Sequence, residues 1–364
     1  MMRRFKHGTG VPLLTVAVLL LVLAGVFHAP LLEARRRSTP EMEVLSDAPP
    51  VVLFTTVVLG GFRGVIADAL WLRASYLQEE GRYLELVQLA DWVTKLEPRT
   101  TDVWAFHAWN LAYNVSVMMP VAEDRWRWVR QGIELLRDKG VHYNPADPRI
   151  YRELGWMFQH KLGGDSDRLH AYYKRQWSDY VAARIGASGR ANYDRLALEP
   201  DLRECIRKDL GMDVERMQIV DAIYGPLDWR LPQSHAVYWA YRGLAVAGPE
   251  GFLECSRMIY QSMSELFLWG KMSWNGQDEL VMEADKRLLP RVLRAYEDAL
   301  SLYDQPGLSE AYANFLTGAT LVMAKQGDKR RARRCFERLH THHPTPLTAR
   351  GYDAFIAAHR EEGN

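Results

Sequence analysis

One spacing occurs twice in this chain. Gly81, Leu86, Ala90, Val93 and Pro98 return at the same intervals as Gly327, Ala332, Phe336, Leu339 and Pro344. Between the glycine and the proline, small and apolar residues recur every three or four positions, which places them on one face of an α-helix. Glycine at the front tolerates the left-handed conformation that ends a preceding helix. Proline at the back cannot donate the N–H that would continue the following one. Each copy therefore reads as the second helix of a helical hairpin. A hairpin of this size cannot bury its apolar face alone, so the chain must stack several of them.

The restarts keep the same phase. Trp104, Ala108 and Leu111 follow Pro98, and Tyr151, Leu154, Gly155 and Phe158 follow Pro145. Tyr83 sits at the turn after Gly81, and Val292, Tyr296, Ala299 and Leu300 form a less complete second helix. Together, the Gly81–Pro98 run and Tyr151-x-x-Leu154-Gly155-x-x-Phe158 resemble the tetratricopeptide repeat (TPR) family, over residues 64–184 and 290–346. The resemblance implies an all-α fold, a right-handed α-solenoid of TPR-like hairpins of about 34 residues each. It also implies that Gly155 marks the closest approach of the two helices of one repeat. Residues 101–147 exceed that length and are broken by Pro120 ahead of Trp126. From Ala182 to Leu231 the spacing vanishes, and Gly186, Ser188 and Gly189 suggest a loop. Helices are expected again at Ser234–Val246 and Phe252–Phe267, separated by Gly248-Pro249. A last helix, with Thr345 as N-cap and Pro346 as its first residue, is expected to run to Arg360.

Ahead of the repeats lies VPLLTVAVLLLVLAGVF, Val11 to Phe27, behind a leader carrying Arg3, Arg4 and Lys6. Its length is near the lower limit for crossing ~30 Å of hydrocarbon. Pro30 disfavours cleavage after Ala29, and no cysteine follows for lipid attachment. The expectation is a single-pass signal anchor that is not cleaved, with a cleaved signal peptide as the alternative. The short cationic leader favours a cytoplasmic N-terminus and places the bulk of the chain on the periplasmic side, although Arg35, Arg36 and Arg37 pull the other way. Val51 to Phe62 is too short to span and is interrupted by Gly60 and Gly61. It reads as a helix buried against the first repeat. The expected organisation is a leader and transmembrane helix at 1–34, a juxtamembrane linker and apolar helix at 35–63, and TPR-like repeats at 64–184. An irregular connection at 185–233, further hairpins at 234–346 and a capping helix with its tail at 347–364 complete it.

Charge excludes one class of function. Lys and Arg total 46 against 45 Asp and Glu, a net +1 without the basic excess that nucleic-acid binding requires. Cys205, Cys255 and Cys335 are too few and too scattered for a disulfide framework or a zinc site. The chain has no HExxH, no GxSxG and no phosphate-binding glycine loop, so no catalytic residue, cofactor or metal is expected. His340, His342 and His343 read as a surface turn beside Pro344. Gly163-Gly164-Asp165-Ser166-Asp167 lacks the closing Glu of a calcium loop and reads as a capped turn.

Tryptophan, at 12 residues, and tyrosine, at 17, are abundant, and two polar-aromatic clusters stand out. In the first, Trp109, Asn110 and Asn114 lie on a first helix, which lines the concave groove in the family resembled; their amides suit an extended peptide. In the second, Trp229, Arg230, His235 and Arg242 offer stacking and carboxylate contacts; a bridge between Asp228 and Arg230 that locks a connection is the competing reading. These features point to a membrane-tethered scaffold for protein–protein interaction in a cell-envelope assembly. Glycan or cell-wall binding is the alternative that the tryptophans suggest, and an enzyme centred on Asp228 and His235 a more distant one. The expected topology has a direct test. A periplasm-dependent reporter fused to the C-terminus should be active and a cytoplasm-dependent one silent; the reverse pattern would overturn the orientation.

Overall fold

The computed structural model describes residues 63–248, 251–275 and 279–361. The apolar segments Val11–Phe27 and Val51–Phe62 lie outside them. Among the described residues no helix is long and apolar enough to cross a membrane. The described residues divide into two compact units, one ending at Val103 and one beginning at Trp104, and are mostly helical.

In the first unit, α1 (Arg63–Glu79) and α2 (Tyr83–Leu96) form a hairpin. Gly81 turns the chain at φ 71°, and the Arg82 N–H closes on the Leu77 carbonyl at 2.9 Å, satisfying an acceptor at the end of α1. Along α2, Leu86, Leu89, Ala90, Val93 and Leu96 are buried, and Ala67 of α1 joins Leu96 in a small core.

The second unit has one core, running from Trp104 to Phe355. α3 (Thr101–Trp109), α4 (Ala122–Glu134) and α5 (Pro148–Trp156) each pass directly into a π-helical turn, at Asn110–Val115, Leu135–Gly140 and Met157–Leu162. Such a turn holds one more residue than an α-turn and shifts the faces that follow. Asp147 caps α5 by accepting the Arg149 N–H at 3.0 Å, with Pro148 in the first turn. α6 (His170–Ile185) follows.

The stretch expected as an irregular connection begins with a loop at 186–192 and ends with another at 225–231, but three helices lie between them. α7 (Tyr193–Leu198), α8 (Pro200–Leu210) and α9 (Val214–Tyr224) bury Leu196, Ile206, Leu210, Met217 and Val220 in the shared core. α10 (Pro232–Ala247) and α11 (Leu253–Trp269) then form a hairpin close to the expected limits. Gly155 of α5 does not mark a contact with the next helix in sequence. A Cβ there would lie 2.3 Å from Met258 Sδ on α11 and 3.4 Å from the Ala236 carbonyl on α10. The partners of α5 at this point come from much later in the chain, so the expected register within one repeat is corrected.

Strands β1 (Lys271–Trp274) and β2 (Leu280–Glu283), antiparallel with Met272 opposite Met282, occupy part of the region expected to be helical hairpins throughout. α12 (Leu289–Leu302) leads to α13 (Pro306–Lys325) and α14 (Lys329–His342), which pair across Gly327 at φ 77°. Ala332, Cys335, Phe336 and Leu339 are the buried face of α14. The final helix is shorter than expected. Thr345 accepts the Thr348 N–H at 3.1 Å just ahead of a 3-10 turn at Thr348–Arg350, Gly351 reverses the chain at φ 90°, and α15 runs from Tyr352 to Glu361.

The approach of α4 to α3 gives a stability prediction. A Cβ on Gly132 would stand 2.7 Å from the Ala108 carbonyl and 3.2 Å from Ala112 Cβ, and backbone cannot yield as a flexible side chain can. Gly132→Ala should cost about 1–3 kcal/mol in urea denaturation. Gly318→Ala on α13, where nothing lies within 4 Å, should be neutral or stabilise by up to ~1 kcal/mol. Equal midpoints for the two variants would contradict this packing.

Candidate functional site

The π-turn that ends α5 aims Gln159 inward, where its Nε2 donates to Glu265 Oε1 at 3.1 Å. Gln233, one residue after the proline that opens α10, donates to Glu265 Oε2 at 3.0 Å and reaches the Gly163 carbonyl at 3.3 Å. Three distant segments thus meet in one clamp, with the carboxyl of α11 held between two amides. Gly163 is required there, since a Cβ would lie 2.6 Å from Gln233 Nε2. Among the described residues Glu265 has no ion-pair partner. Burial pushes its carboxyl above the usual range, opposed by the two amide bonds and by the charge of Lys174.

Lys174, on the facing α6, is buried and likewise has no ion-pair partner among the described residues. Its ammonium donates to the Gly164 carbonyl at 2.9 Å and lies 3.2 Å from His170 Nδ1. Burial lowers the pKa of Lys174, and burial together with the charge of Lys174 lowers that of His170. The Gly163–Asp167 segment is a capped turn. Asp167 is taken up by Lys161 at 2.6 Å and by the Leu169 N–H at 2.9 Å, while Gly163, Gly164 and Asp165 face the cleft. The cleft measures about 1210 Å³. Ser264, bonded to the Tyr296 hydroxyl at 3.2 Å, forms another part of its wall, and Trp269 its aromatic edge.

The residues expected to bind a partner lie elsewhere. Asn110 is buried in the π-turn of α3, and the half-buried Asn114 donates to its Oδ1 at 3.1 Å. Trp109 is partly exposed and leans on Tyr113. Trp229 and His235 are fully buried, and the imidazole packs on Phe158 and Trp177 at centroid distances of 5.0 and 4.9 Å. His235 donates through Nε2 to the Trp229 carbonyl at 2.7 Å, and burial brings its pKa down to about 4. A neutral, enclosed imidazole cannot reach a substrate, which removes the site envisaged at Asp228 and His235. Arg230 pairs with Asp228 at 2.6 Å and donates to the Ala187 carbonyl at 2.7 Å, so the bridge that locks the connection is the reading the structure shows. Gly189 leaves it room, because a Cβ there would collide with Asp228 Oδ1. Arg242 lies over Tyr151 and Trp239. His340 meets the Thr348 hydroxyl at 3.2 Å, and His342 sits edge-on to Tyr312. The cysteines are free thiols.

Sequence reasoning missed the cleft. The available signals were the glycine pair beside Asp165, and the Gln261, Glu265, Trp269 series at helical spacing on α11. Neither a family model nor a curated protein matches the chain.

Glu265 makes stability depend on pH in a known direction. A carboxyl whose folded pKa is raised binds its proton more tightly when folded. The protein should therefore lose stability as pH rises from about 4.5 through the higher folded value. Glu265→Gln keeps the shape without the charge and should abolish that loss, making the variant the more stable at pH 7. Parallel stability curves for the two proteins across pH 4–8 would contradict the buried carboxyl.

Proposed function

We propose that this protein is a membrane-tethered scaffold of a cell-envelope assembly, with a TPR-like helical body, and that it works by binding and not by catalysis. The cleft is its recognition site. The observation that carries this reading is the Gln159–Glu265–Gln233 clamp, a half-buried carboxyl facing a cleft of about 1210 Å³ without an ion-pair partner among the described residues. Burying such a group costs stability, and a binding site recovers the cost when a ligand completes its hydrogen bonds. The hairpins at α1–α2 and α13–α14 support the repeat reading, and stacks of this kind hold protein subunits along their surfaces. Tethering by the N-terminal apolar segment would raise the local concentration of whatever is bound near the membrane.

A photo-crosslinking residue placed at position 269, in the full chain and in its native membrane, should give a discrete adduct with an envelope component. The same residue at position 198, where Leu198 is 82% exposed away from the cleft lining, should not. Equal labelling from both positions, or none from 269, would remove the cleft from recognition.

A further inference from the structure

We infer that the cleft holds a segment of a neutral polysaccharide, with the Trp269 ring as stacking platform and the Gln159–Glu265–Gln233 clamp as the floor that bonds its hydroxyl groups. The inference rests on the cleft being a recognition site and adds the class of ligand that fills it.

Trp269 is the last residue of α11 and is 55% exposed, with no ring or cation partner among the described residues. Large aromatic side chains are usually buried, and one left open at the mouth of a cleft offers a flat apolar face to a ligand. Gly270 follows at once, in a turn so tight that a Cβ would lie 1.9 Å from the Leu266 carbonyl.

The same helix supplies the polar partners in line with the ring. Gln261, Glu265 and Trp269 are spaced four residues apart and share one face. At 1.5 Å rise per residue the series covers about 12 Å, longer than a single sugar ring. The cleft itself exceeds the ~300–1,000 Å³ usual for small-molecule pockets, which suits a polymer lying along it.

The charges select a neutral ligand. The Lys174 ammonium and the Glu265 carboxyl stand in the same cleft as Asp165, Glu279 and His170, with no excess of positive charge to attract an anion. Lys174 is bonded to a backbone carbonyl and is close to an imidazole nitrogen, both uncharged acceptors. Burial moves Glu265, Lys174 and His170 each towards its neutral form. What remains is a largely apolar wall set with donors and acceptors such as Gln159, Gln233 and Ser264, which suits the C–H faces and hydroxyl groups of a neutral sugar chain.

The test is calorimetry on the full chain in lipid nanodiscs, free of sugar-based detergent. The probes are cellohexaose and chitohexaose as neutral oligosaccharides, oligogalacturonate as an acidic one, and an acidic peptide. At least one neutral oligosaccharide should bind more tightly than the other two probes. Trp269→Ala should weaken it about tenfold or more. Glu265→Ala should weaken it too, Glu265→Gln should recover most of the loss, and Leu198→Ala should change nothing. The inference falls if neither neutral oligosaccharide binds, if Trp269→Ala leaves affinity unchanged, or if only the acidic sugar or the peptide binds. An adduct from position 269 with no oligosaccharide binding would overturn the glycan while leaving the recognition site in place.

Discussion

Gly155 and Gly243 leave no side chain between α5 and the α10–α11 hairpin, and this close approach governs the architecture of the second unit. A Cβ at Gly243 would lie 2.5 Å from Cys255 Sγ and 3.3 Å from both the Pro148 carbonyl and Tyr151 Cβ. Around this seam Tyr151, Leu154, Phe158 and Trp239 are removed from water, at about 1.5–3 kcal/mol for each large apolar side chain. The fully buried His235, Trp177 and Trp229 extend the same layer. Because α5 passes straight into its π-turn, the seam also fixes where Gln159 stands relative to Gln233 and Glu265. The apolar packing and the polar clamp are two ends of one junction.

The polar side of that junction is costly to keep. A carboxyl and an ammonium both lie largely out of water, and neither has an opposite charge in contact among the described residues. Buried polar groups are normally fully partnered, and an unpaired buried charge ordinarily destabilises a fold. At two other sites a buried charge is paired. Lys161 and Asp167 pair at 2.6 Å, and the buried Asp285 is met by Arg287 at 2.6 Å and Arg190 at 3.4 Å. Glu265 and Lys174 lack such an ion-pair partner among the described residues, and they lie in the cleft, where a ligand can supply one.

The ends of the chain were more legible than its middle, for physical reasons. In α2 and α14 a glycine at positive φ, a helical run of small and apolar residues and a terminal proline agree with one another, and each hairpin partner is the neighbour in sequence. In α8, PDLRECIRKDL, only Ile206 and Leu210 are buried, so periodicity gave little signal. The three π-turns insert a residue into the helical count and shift the faces that follow them. Gly155 was correctly singled out as a close-packing position, but its partners come from helices about a hundred residues later, and no local pattern names them. Glu265 and Lys174 look like ordinary surface charges in the sequence. Their role appears only when the α5 turn, α6, α10 and α11 are brought together.

The recognition site turns on the state of one carboxyl. Glu265 can be observed directly by carbon-detected NMR of the carboxyl-labelled protein, with its signal assigned by its loss in Glu265→Gln. The structure predicts that this carbon titrates with a midpoint above the ordinary 4.5, because burial outweighs the two amide bonds and the charge of Lys174. A midpoint at or below 4.5 would mean that the carboxyl is solvated or paired, and the clamp would not be the floor of a recognition site.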